Sequence, residues 1–248
     1  MFITFIKTIA RIPHLGKTLG ESVLYANQFQ YVLGIKLLPS KILGWAIRPT
    51  TLRARQIAKK HTFEYFSLED GFLRSFLAGQ LSPPLSLVID ASGIYYDCKH
   101  WSDLEMLINH REKYDTDLYL SRKYGVSRKI VLCHLSKYNH MPDFEESLLD
   151  ITTCRSGRKR VLVIDQTVGD MSIIYGGADD SSFHRMLLAA RAEHPDALIV
   201  VKTHPEVSGG QKRGYLSDIP SDENTCVLRE AVNPIQLLQA VDAVYVVT

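Results

Sequence analysis

The sequence predicts an α/β fold built from two blocks of parallel β-sheet, and three observations support this. Short apolar runs rich in β-branched residues recur along the chain, as in strands buried on both faces of a parallel sheet. Helical patterns separate these runs, as crossovers between parallel strands require. A basic cluster containing glycine at residues 156–160 divides the chain, so we expect an N-terminal domain over residues 1–155 and a C-terminal domain over residues 156–248.

The N-terminal block opens with an apolar segment in which Phe2, Phe5, Ile6 and Ile9 share one side of a helix. This spacing predicts an amphipathic first helix. Such a helix either packs on its own domain or lies on a membrane surface. The segment is shorter than the roughly 18 to 20 apolar residues that a membrane-spanning helix needs.

Apolar runs and turn residues define the other elements of this block. Strands are predicted at residues 41–47, 63–68, 85–89 and 94–96, the last two forming a hairpin. A helix is predicted at residues 52–60, because Pro49 suits a helix start. Residues 102–150 have a helical pattern.

The C-terminal block repeats the same alternation. Strands are predicted at residues 161–164, 197–201, 226–228 and 243–248. Helices are predicted to begin near Asp180 and at Asn233, and we expect Met186, Leu187 and Ala190 on the inner side of the first. The last run is apolar throughout, unlike a protected edge strand, and lacks a crossover helix after it. We therefore expect the second domain to be incomplete.

The composition gives broad limits on function. A chain of 248 residues with 46% apolar and 23% charged residues is typical of a soluble globular protein of one or two domains. A net charge of +2 does not favour nucleic acid as a partner. The four cysteines lack paired spacing, so we expect reduced packing residues: Cys98, Cys133, Cys154 and Cys226.

The most informative segment is Lys202-Thr203-His204-Pro205, which follows a predicted buried strand. Open α/β sheets bind ligands at the carboxyl ends of their strands. Pro205 restricts the backbone of His204 to an extended conformation, which directs the imidazole out of the sheet. His204 can then donate to a phosphate oxygen while Lys202 adds positive charge. The alternative is an ordinary strand-end histidine that bonds the backbone.

Carboxylates follow two other predicted strands. Glu69 and Asp70 are adjacent, and Gly71 permits a sharp turn after them. Because successive strand side chains point to opposite faces, we expect one carboxylate to reach a ligand and the other to bond the backbone or an arginine such as Arg74. An acidic surface turn is the alternative. Asp165 ends the first strand of the second block in the same way.

Other motifs are weaker indicators of chemistry. Asp115-Thr116-Asp117 fits the D-x-D pattern of metal-dependent sugar transferases but lies in a helical, charged region, so no metal is expected there. Lys137-Tyr138-Asn139 could contact a sugar, and a helix end explains it equally well. The phosphate-binding signatures of ATPases and of dinucleotide-binding domains do not occur in the sequence.

Five motifs occur together in a fixed order: Ser67–Ser75, Pro84–Asp90, Gly93–Asp97, Asp165–Thr167 and Lys202–Pro205. In this combination the chain resembles the capsule polysaccharide synthesis family of KpsC/LipA type. The resemblance runs from about Ile42 to the last residue, and Ser67–Ser75 is its most diagnostic block.

The resemblance implies a retaining β-Kdo glycosyltransferase with a GT-B-like fold of two Rossmann-like domains and a cleft between them. Such enzymes use CMP-Kdo to build a short Kdo linker on a (lyso)phosphatidylglycerol acceptor, from which capsule polymer is exported. It implies a protein at the cytoplasmic face of the membrane, with capsule assembly and export proteins as partners and no metal cofactor. Family members continue past the last strand seen here, which implies a truncated chain.

The resemblance also assigns roles to residues. Asp165 matches the aspartate favoured as nucleophile, and Glu69 or Asp70 would act as acid/base or orient it. His204 with Pro205 would bind the CMP phosphate, with support from Lys202. Four further residues would contact substrate: Gly71, Arg74, Gln166 and Thr167.

This chemistry suits the residue types. Net retention is simplest as two inversions at the anomeric carbon. A monophosphate leaving group can be stabilised by histidine and helix-terminus donors without a metal. Two alternatives remain, namely an inactive truncated remnant or adaptor of the capsule machinery, and another nucleotide-sugar enzyme such as a UDP-sugar transferase.

Overall fold

The computed structural model describes residues 1–27, 41–77, 82–110, 116–149 and 157–248, without the side chains of residues 116–121. The chain forms two compact units, Met1–Ser121 and Arg122–Thr248. The predicted boundary between residues 155 and 156 lies outside the described residues. Residues 122–149, which precede that boundary, belong to the second unit. They contact its C-terminal part: Asn233 Nδ2 donates to the carbonyl of His134 at 3.1 Å, and the Phe144 amide donates to Gln236 Oε1 at 2.6 Å.

The first unit contains a five-stranded sheet in the order β2-β1-β3-β4-β5. Its strands are β1 (Phe2–Thr4), β2 (Val23–Tyr25), β3 (Lys41–Trp45), β4 (Tyr65–Asp70) and β5 (Leu87–Asp90). The first four are parallel, and β5 pairs antiparallel with β4. The helices are α1 (Lys7–Ala10), α2 (Leu15–Leu19), α3 (Leu52–His61) and α4 (Asp103–Asn109), with a 3-10 turn at Pro49–Thr51.

Helices cover both faces of this sheet. On one face, Ile57 of α3 packs with Ile42 of β3. On the other face, Ile9 of α1 and Leu15 of α2 pack with Leu43 of β3. Burial on both faces explains why the strands read as apolar runs rather than as alternating patterns.

The predicted first helix is wrong at its start. Phe2–Thr4 form a buried strand that pairs with both β2 and β3, and the helix begins only at Lys7. A short apolar run fits a buried strand as well as a helix, because periodicity cannot separate the two at this length. Pairing with two neighbouring strands satisfies the backbone groups of Phe2–Thr4 and decides the outcome.

The predicted hairpin around residues 91–93 is also wrong, because residues 94–96 form no strand. Strand β5 pairs with β4 instead. The Asp90 carboxylate closes the following turn: Oδ1 accepts from the amides of Ser92 at 2.9 Å and Gly93 at 2.6 Å, and Oδ2 accepts from the Asp103 amide at 3.0 Å. This aspartate therefore connects β5 to the start of α4, whose N-cap is Ser102.

The second unit contains a four-stranded parallel sheet in the order β8-β7-β6-β9. Its strands are β6 (Arg160–Ile164), β7 (Leu198–Lys202), β8 (Thr225–Leu228) and β9 (Ala243–Tyr245). The helices are α5 (Thr116–Leu132, begun in the first unit), α6 (Met171–Tyr175), α7 (Asp180–Glu193), α8 (Pro205–Ser208) and α9 (Pro234–Gln239), with a 3-10 turn at Glu146–Leu149. The predicted strands and helix starts of this block are confirmed to within about two residues, apart from the length of β9.

The core of this unit follows the predicted pattern on α7. Met186, Leu187 and Ala190 are buried and pack with sheet residues such as Val161 and Ile199. Leu149 and Leu237 belong to a second cluster, which contains the strand residues that alternate with those of the first, such as Leu162 and Val200. Since side chains alternate along a strand, the two clusters cover opposite faces of the sheet.

The predictions about the last strand and about the cysteines of the chain need correction. Strand β9 lies at the edge of the described sheet and ends at Tyr245, and Val244 is 41% exposed rather than buried. Cys226 is buried, as expected of a packing residue, whereas Cys98 and Cys133 are exposed and Cys154 lies outside the described residues.

None of the helices in the described ranges combines the length and apolarity needed to cross a bilayer.

Candidate active site

The structure places three of the predicted site residues at the carboxyl ends of two central strands of the second sheet. Asp165 follows β6 and Lys202 ends the neighbouring strand β7, and the Asp165 amide donates to the Lys202 carbonyl at 3.0 Å. His204 follows two residues later as the N-cap of α8. These are the carboxyl ends of parallel strands, where doubly wound sheets bind ligands.

The Asp165 carboxylate is buried, with the residue only 1% exposed. Its Oδ1 accepts from the backbone amides of Gln166 at 2.9 Å, Tyr215 at 3.0 Å and Leu216 at 3.2 Å. Its Oδ2 has no hydrogen-bond partner among the described residues. Burial raises the pKa of Asp165 above its ordinary value, against the opposing effect of the three amides.

Gly214 makes room for this carboxylate. A Cβ at Gly214 would lie 2.1 Å from Asp165 Oδ2, so a side chain at that position would occupy the space of the carboxylate. Gly214 also pairs with the buried residue Thr167 in an antiparallel bridge. Asp165 and Thr167 therefore hold the loop that contains Gly214 and Tyr215. Sequence reasoning missed this loop, since the only signal was a glycine in a polar stretch.

His204 has a defined tautomer. Its Nδ1 accepts from the Glu206 amide at 3.2 Å, so the ring proton of the neutral imidazole lies on Nε2. Nε2 lies 3.1 Å from the hydroxyl oxygen of Tyr138, and the two rings are T-shaped with centroids 6.2 Å apart. Burial lowers the pKa of His204, which favours the neutral ring at pH 7. The ring bonds the backbone, as the alternative interpretation of this histidine expected, and donation to a phosphate stays a prediction.

Lys202 contributes a basic side chain at the carboxyl end of β7. Its Nζ donates to the Thr203 carbonyl at 2.7 Å. Burial lowers the pKa of Lys202 to about 8, although the Glu230 carboxylate favours the charged form. Gln166 and Thr248 hydrogen-bond through their side chains at 3.1 Å, near the carboxyl end of β6. A partly buried ammonium at a strand end is suited to a phosphate group.

In the first unit, Glu69 and Asp70 lie inside β4 rather than in a turn after it. They pair with Val88 and Leu87 of β5, and consecutive positions point to opposite faces of the sheet. The predicted strand end at Leu68 is therefore two residues too early. Pairing with the antiparallel strand β5, which the sequence did not indicate, extends β4 through both carboxylates.

Asp70 forms an ion pair with Arg74, as expected for one of the two carboxylates. Arg74 Nε donates to Asp70 Oδ1 at 2.7 Å. The guanidinium is almost fully buried and also donates to Ser75 Oγ and to the Ser82 carbonyl, each at 2.8 Å. Gly71 comes next, where a Cβ would lie 2.1 Å from Ser86 Oγ. Arg74 therefore ties the segment after β4 to Asp70.

Glu69 has a different environment. Its Oε1 accepts from the Asp70 amide at 3.1 Å and lies 3.6 Å from Arg48 Nη2. Burial, and to a smaller extent the negative charge of Glu69, raises the pKa of the Tyr96 hydroxyl. Arg48 follows β3 and Glu69 lies near the end of β4, so both are at the carboxyl ends of parallel strands. Sequence reasoning missed Arg48, although it follows the predicted strand at residues 41–47, and it placed Tyr96 inside a predicted strand rather than beside Glu69.

The D-x-D segment cannot be compared with its prediction. Asp115 and the Asp117 side chain lie outside the described residues. Across the described ranges, there is no group of three or more histidine, cysteine or acidic side chains that could hold a metal ion.

A family model described as capsule polysaccharide biosynthesis protein matches residues 40–248. The chain is 43% identical over 243 residues to the capsule polysaccharide modification protein LipA of Neisseria meningitidis serogroup A, covering 97% of this chain and 33% of that protein. It is 33% identical over 214 residues to the lipopolysaccharide-processing protein LpsZ of Rhizobium meliloti, covering 85% of this chain and 47% of the relative. The chain thus spans between a third and a half of these curated relatives.

Two solved structures are similar over 98% of this chain. One is Thermosulfurimonas dismutans KpsC, described as a β Kdo 2,4 transferase, with a TM-score of 0.85, 37% identity and 72% of that chain covered. The other is KpsC from the same organism, described as a β Kdo 2,7 transferase, with a TM-score of 0.61, 26% identity and 71% of that chain covered.

Proposed function

This chain belongs to the capsule polysaccharide biosynthesis protein family, and on that premise we propose that it is a β-Kdo transferase that uses CMP-Kdo to build a capsule linker on a phosphatidylglycerol-type glycolipid. The observation that carries the proposal is the similarity to the β Kdo 2,4 transferase, with a TM-score of 0.85 and 37% identity. The identity to LipA supports a role in capsule polysaccharide modification. The proposed organisation is GT-B-like, with two Rossmann-like domains, at the cytoplasmic face of the membrane.

The proposed linkage is 2,4. Similarity to the 2,4 transferase exceeds similarity to the 2,7 transferase both in TM-score, 0.85 against 0.61, and in identity, 37% against 26%. Linkage depends on which acceptor hydroxyl reaches the anomeric carbon, and that depends on the residues around the acceptor. Greater similarity in sequence and backbone supports a shared acceptor geometry.

The proposed binding site for the sugar donor lies at the carboxyl ends of β6 and β7 in the second unit. Lys202 supplies positive charge and the neutral His204 ring supplies a hydrogen-bond donor to the phosphate of CMP. Donors of this kind stabilise the charge that develops on a monophosphate as it leaves. No metal is required in this proposal, because the leaving group carries a single phosphate.

The proposed reaction consists of two inversions. The Asp165 carboxylate forms a bond to the anomeric carbon of Kdo as the bond to the phosphate oxygen of CMP breaks, and CMP keeps the electron pair. An acceptor hydroxyl then forms a bond to the same carbon, the bond to Asp165 breaks, and the hydroxyl proton passes to a base. Burial of Asp165 supports this role, since a desolvated carboxylate is a stronger nucleophile. Its Oδ2 faces Gly214, so the Gly214 loop must shift before attack.

Glu69 is the proposed acid/base. Asp70 already forms an ion pair with the buried Arg74, whereas Glu69 lies beside the half-exposed guanidinium of Arg48. The Asp70 carboxylate is already held by a buried cation, which suits a structural role rather than contact with a reacting hydroxyl. Asp70 is therefore assigned to orienting the segment around Gly71 and Arg74.

The decisive experiment offers labelled CMP-Kdo and a phosphatidylglycerol-linked Kdo acceptor to this chain. We expect labelled Kdo in the lipid product with a β-2,4 linkage by NMR, and near-complete loss in Asp165→Asn. The matched control is Asp180→Asn, which removes an exposed carboxylate on α7 and should leave transfer unchanged. Transfer at full rate by Asp165→Asn would overturn the assignment of the nucleophile.

A binding measurement separates the proposal from its alternatives. CMP should raise the melting temperature of this chain, and UDP and UMP at equal concentration should not, because only a bound nucleotide stabilises the folded state. Stabilisation by UDP or UMP alone would favour another nucleotide-sugar enzyme. Absence of both transfer and CMP binding would favour an inactive remnant or adaptor and would overturn the proposal.

A further inference from the structure

Arg48 and Glu69 lie together at the carboxyl ends of two neighbouring parallel strands of the first sheet. Arg48 follows β3, and Glu69 lies near the end of β4. Arg48 Nη2 is 3.6 Å from Glu69 Oε1, which is longer than the roughly 2.7 to 3.2 Å of an N–H···O hydrogen bond. The Arg48 side chain is 51% exposed. A loosely paired cation therefore lies at strand ends of the kind where α/β sheets bind ligands.

A tight turn and an aromatic ring fix the position of Arg48. Its amide donates to the Trp45 carbonyl at 3.3 Å, and its carbonyl accepts from the Thr51 amide at 2.9 Å and from the Thr51 hydroxyl at 2.7 Å. The guanidinium carbon lies 6.0 Å from the centroid of the Trp45 ring, a distance at which a cation and a ring still attract each other. The guanidinium is thus held in place although half of the side chain faces solvent.

The Tyr96 hydroxyl is a third polar group in this cluster. Burial raises its pKa most, the charge of Glu69 raises it further, and the charge of Arg48 lowers it. The hydroxyl therefore stays neutral at pH 7, and the two charges of the cluster are those of Arg48 and Glu69. A cation that can bind an anion and a carboxylate that can accept a proton are side by side.

This pair suits an acceptor that is an acidic sugar. Such a sugar carries a carboxylate together with hydroxyl groups. A guanidinium binds a carboxylate through two parallel hydrogen bonds, which fixes the orientation of the bound group. Glu69 does not depend on Arg48 alone, because its Oε1 also accepts from the Asp70 amide at 3.1 Å. Arg48 can therefore turn to a ligand while Glu69 keeps a hydrogen bond to the strand.

We infer that Arg48 is a specificity-determining residue for the acceptor: its guanidinium binds the carboxylate of the terminal acidic sugar and so places a hydroxyl of that sugar against Glu69. This inference rests on the proposed function, in which the acceptor ends in Kdo and Glu69 is the acid/base. The proposed donor site lies in the second unit, at the ends of β6 and β7. The carboxyl ends of β3 and β4 are thus assigned to the acceptor.

The test uses the methyl β-glycoside of Kdo and its carboxamide, which differ only in the charged group and contain neither phosphate nor lipid. Calorimetry on the chain saturated with CMP should show about 10- to 100-fold tighter binding of the acid, as expected for hydrogen bonds to a charged group. Arg48→Ala should abolish this preference by weakening the acid alone. Arg48→Lys should keep part of it, because an ammonium retains the charge but lacks the fork. The matched control is Arg11→Ala, which removes an exposed arginine after α1 and should leave the preference intact.

A second arm separates the acceptor from the donor, since CMP-Kdo carries the same carboxylate. Affinities of CMP-Kdo and CMP are compared in the Asp165→Asn background, which should not consume the donor. Adding Arg48→Ala should leave both affinities unchanged. Selective weakening of CMP-Kdo would place the carboxylate of the donor at Arg48 and overturn the inference.

The remaining outcomes are also distinct. Equal weakening of the acid and the carboxamide by Arg48→Ala would give Arg48 a structural role through Glu69 and overturn the inference. A wild-type chain without preference for the acid would overturn it as well. A chain that prefers the acid through Arg48 and yet transfers no Kdo would support the inference and contradict the proposed function, so the two failures are distinguishable.

Discussion

Gly214 leaves the space that the carboxylate of Asp165 fills. A Cβ at Gly214 would lie 2.1 Å from Asp165 Oδ2 and 3.0 Å from Ser217 Oγ. The two residues are 49 positions apart in sequence, and the amide of the next residue, Tyr215, donates to Asp165 Oδ1. The buried carboxylate and the loop that covers it therefore depend on each other, and substitutions at either position test this dependence.

Gly214→Ala should destabilise the fold and reduce transfer. The added methyl group overlaps the Asp165 carboxylate, and overpacking of this kind costs about 1 to 3 kcal/mol. Chemical denaturation measures the loss. The matched control is Gly125→Ala in α5, where nothing lies within 4 Å of the added Cβ. Because alanine is the better helix former, this control should stabilise by about 0.5 to 1 kcal/mol.

The same clash gives a double-mutant test. Asp165→Ala removes the carboxylate, so Gly214→Ala should cost much less stability in that background than in the wild type. Strictly additive losses would show that the two residues do not compete for the same space.

Asp165→Asn should be inactive and yet at least as stable as the wild type at pH 7. Asparagine keeps a carbonyl oxygen for the three amide donors and removes a charge that burial disfavours. Because the folded-state pKa of Asp165 is raised, the folded protein binds this proton more tightly than the unfolded chain does. The wild type should therefore lose stability relative to Asp165→Asn as the pH rises above about 4, the ordinary value of an aspartate.

Melting curves of both proteins across this range provide the measurement. Asp180→Asn removes an exposed carboxylate, and its stability relative to the wild type should not change with pH. A strongly destabilised Asp165→Asn variant at pH 7 would contradict the interpretation of Asp165 as a desolvated, charged group.

The second sheet was predictable from sequence because its central strands are buried on both faces. Residues 161–164 and 197–201 are continuous apolar runs, which is typical of parallel strands covered by helices on both faces. The polar residues at the strand ends, Asp165, Lys202 and His204, were found by the same reasoning. A strand end is visible in sequence as the point where an apolar run stops.

The contacts that complete the site were not visible in the sequence. Tyr138 reaches His204, and the Tyr215 amide reaches Asp165, only through the folded arrangement of loops. Sequence patterns report which side chains are buried, and they carry no information on which loops meet. The first strand was missed for a related reason, since a strand of three residues defines no period and only the neighbours β2 and β3 decide its conformation.

Asp70→Ala should destabilise the first unit strongly, whereas Glu69→Gln should not. Removing Asp70 leaves the Arg74 guanidinium, whose side chain is 8% exposed, without its carboxylate partner. Breaking a buried ion pair in this way costs about 3 to 5 kcal/mol. Glu69→Gln keeps an acceptor for the Asp70 amide and should change stability by less than about 1 kcal/mol while reducing transfer.

Urea denaturation separates these two outcomes. The matched control is Asp218→Ala, which removes an equivalent ion pair with Arg213 at the surface, where both side chains are more than 70% exposed. Such a pair should contribute less than about 1 kcal/mol. A loss at Asp70 no larger than at Asp218 would contradict the structural role of the Asp70–Arg74 pair.

CMP affinity should fall as the pH rises above about 8, the value to which burial lowers the pKa of Lys202. The deprotonated amine carries no charge for the phosphate, so affinity should decrease by up to about tenfold per pH unit above this point. Lys202→Arg should extend binding to higher pH, because a guanidinium stays protonated throughout. Lys159→Arg, an exposed change before β6, should leave the profile unaltered. A wild-type affinity that is constant from pH 7 to 9.5 would remove Lys202 from the phosphate site.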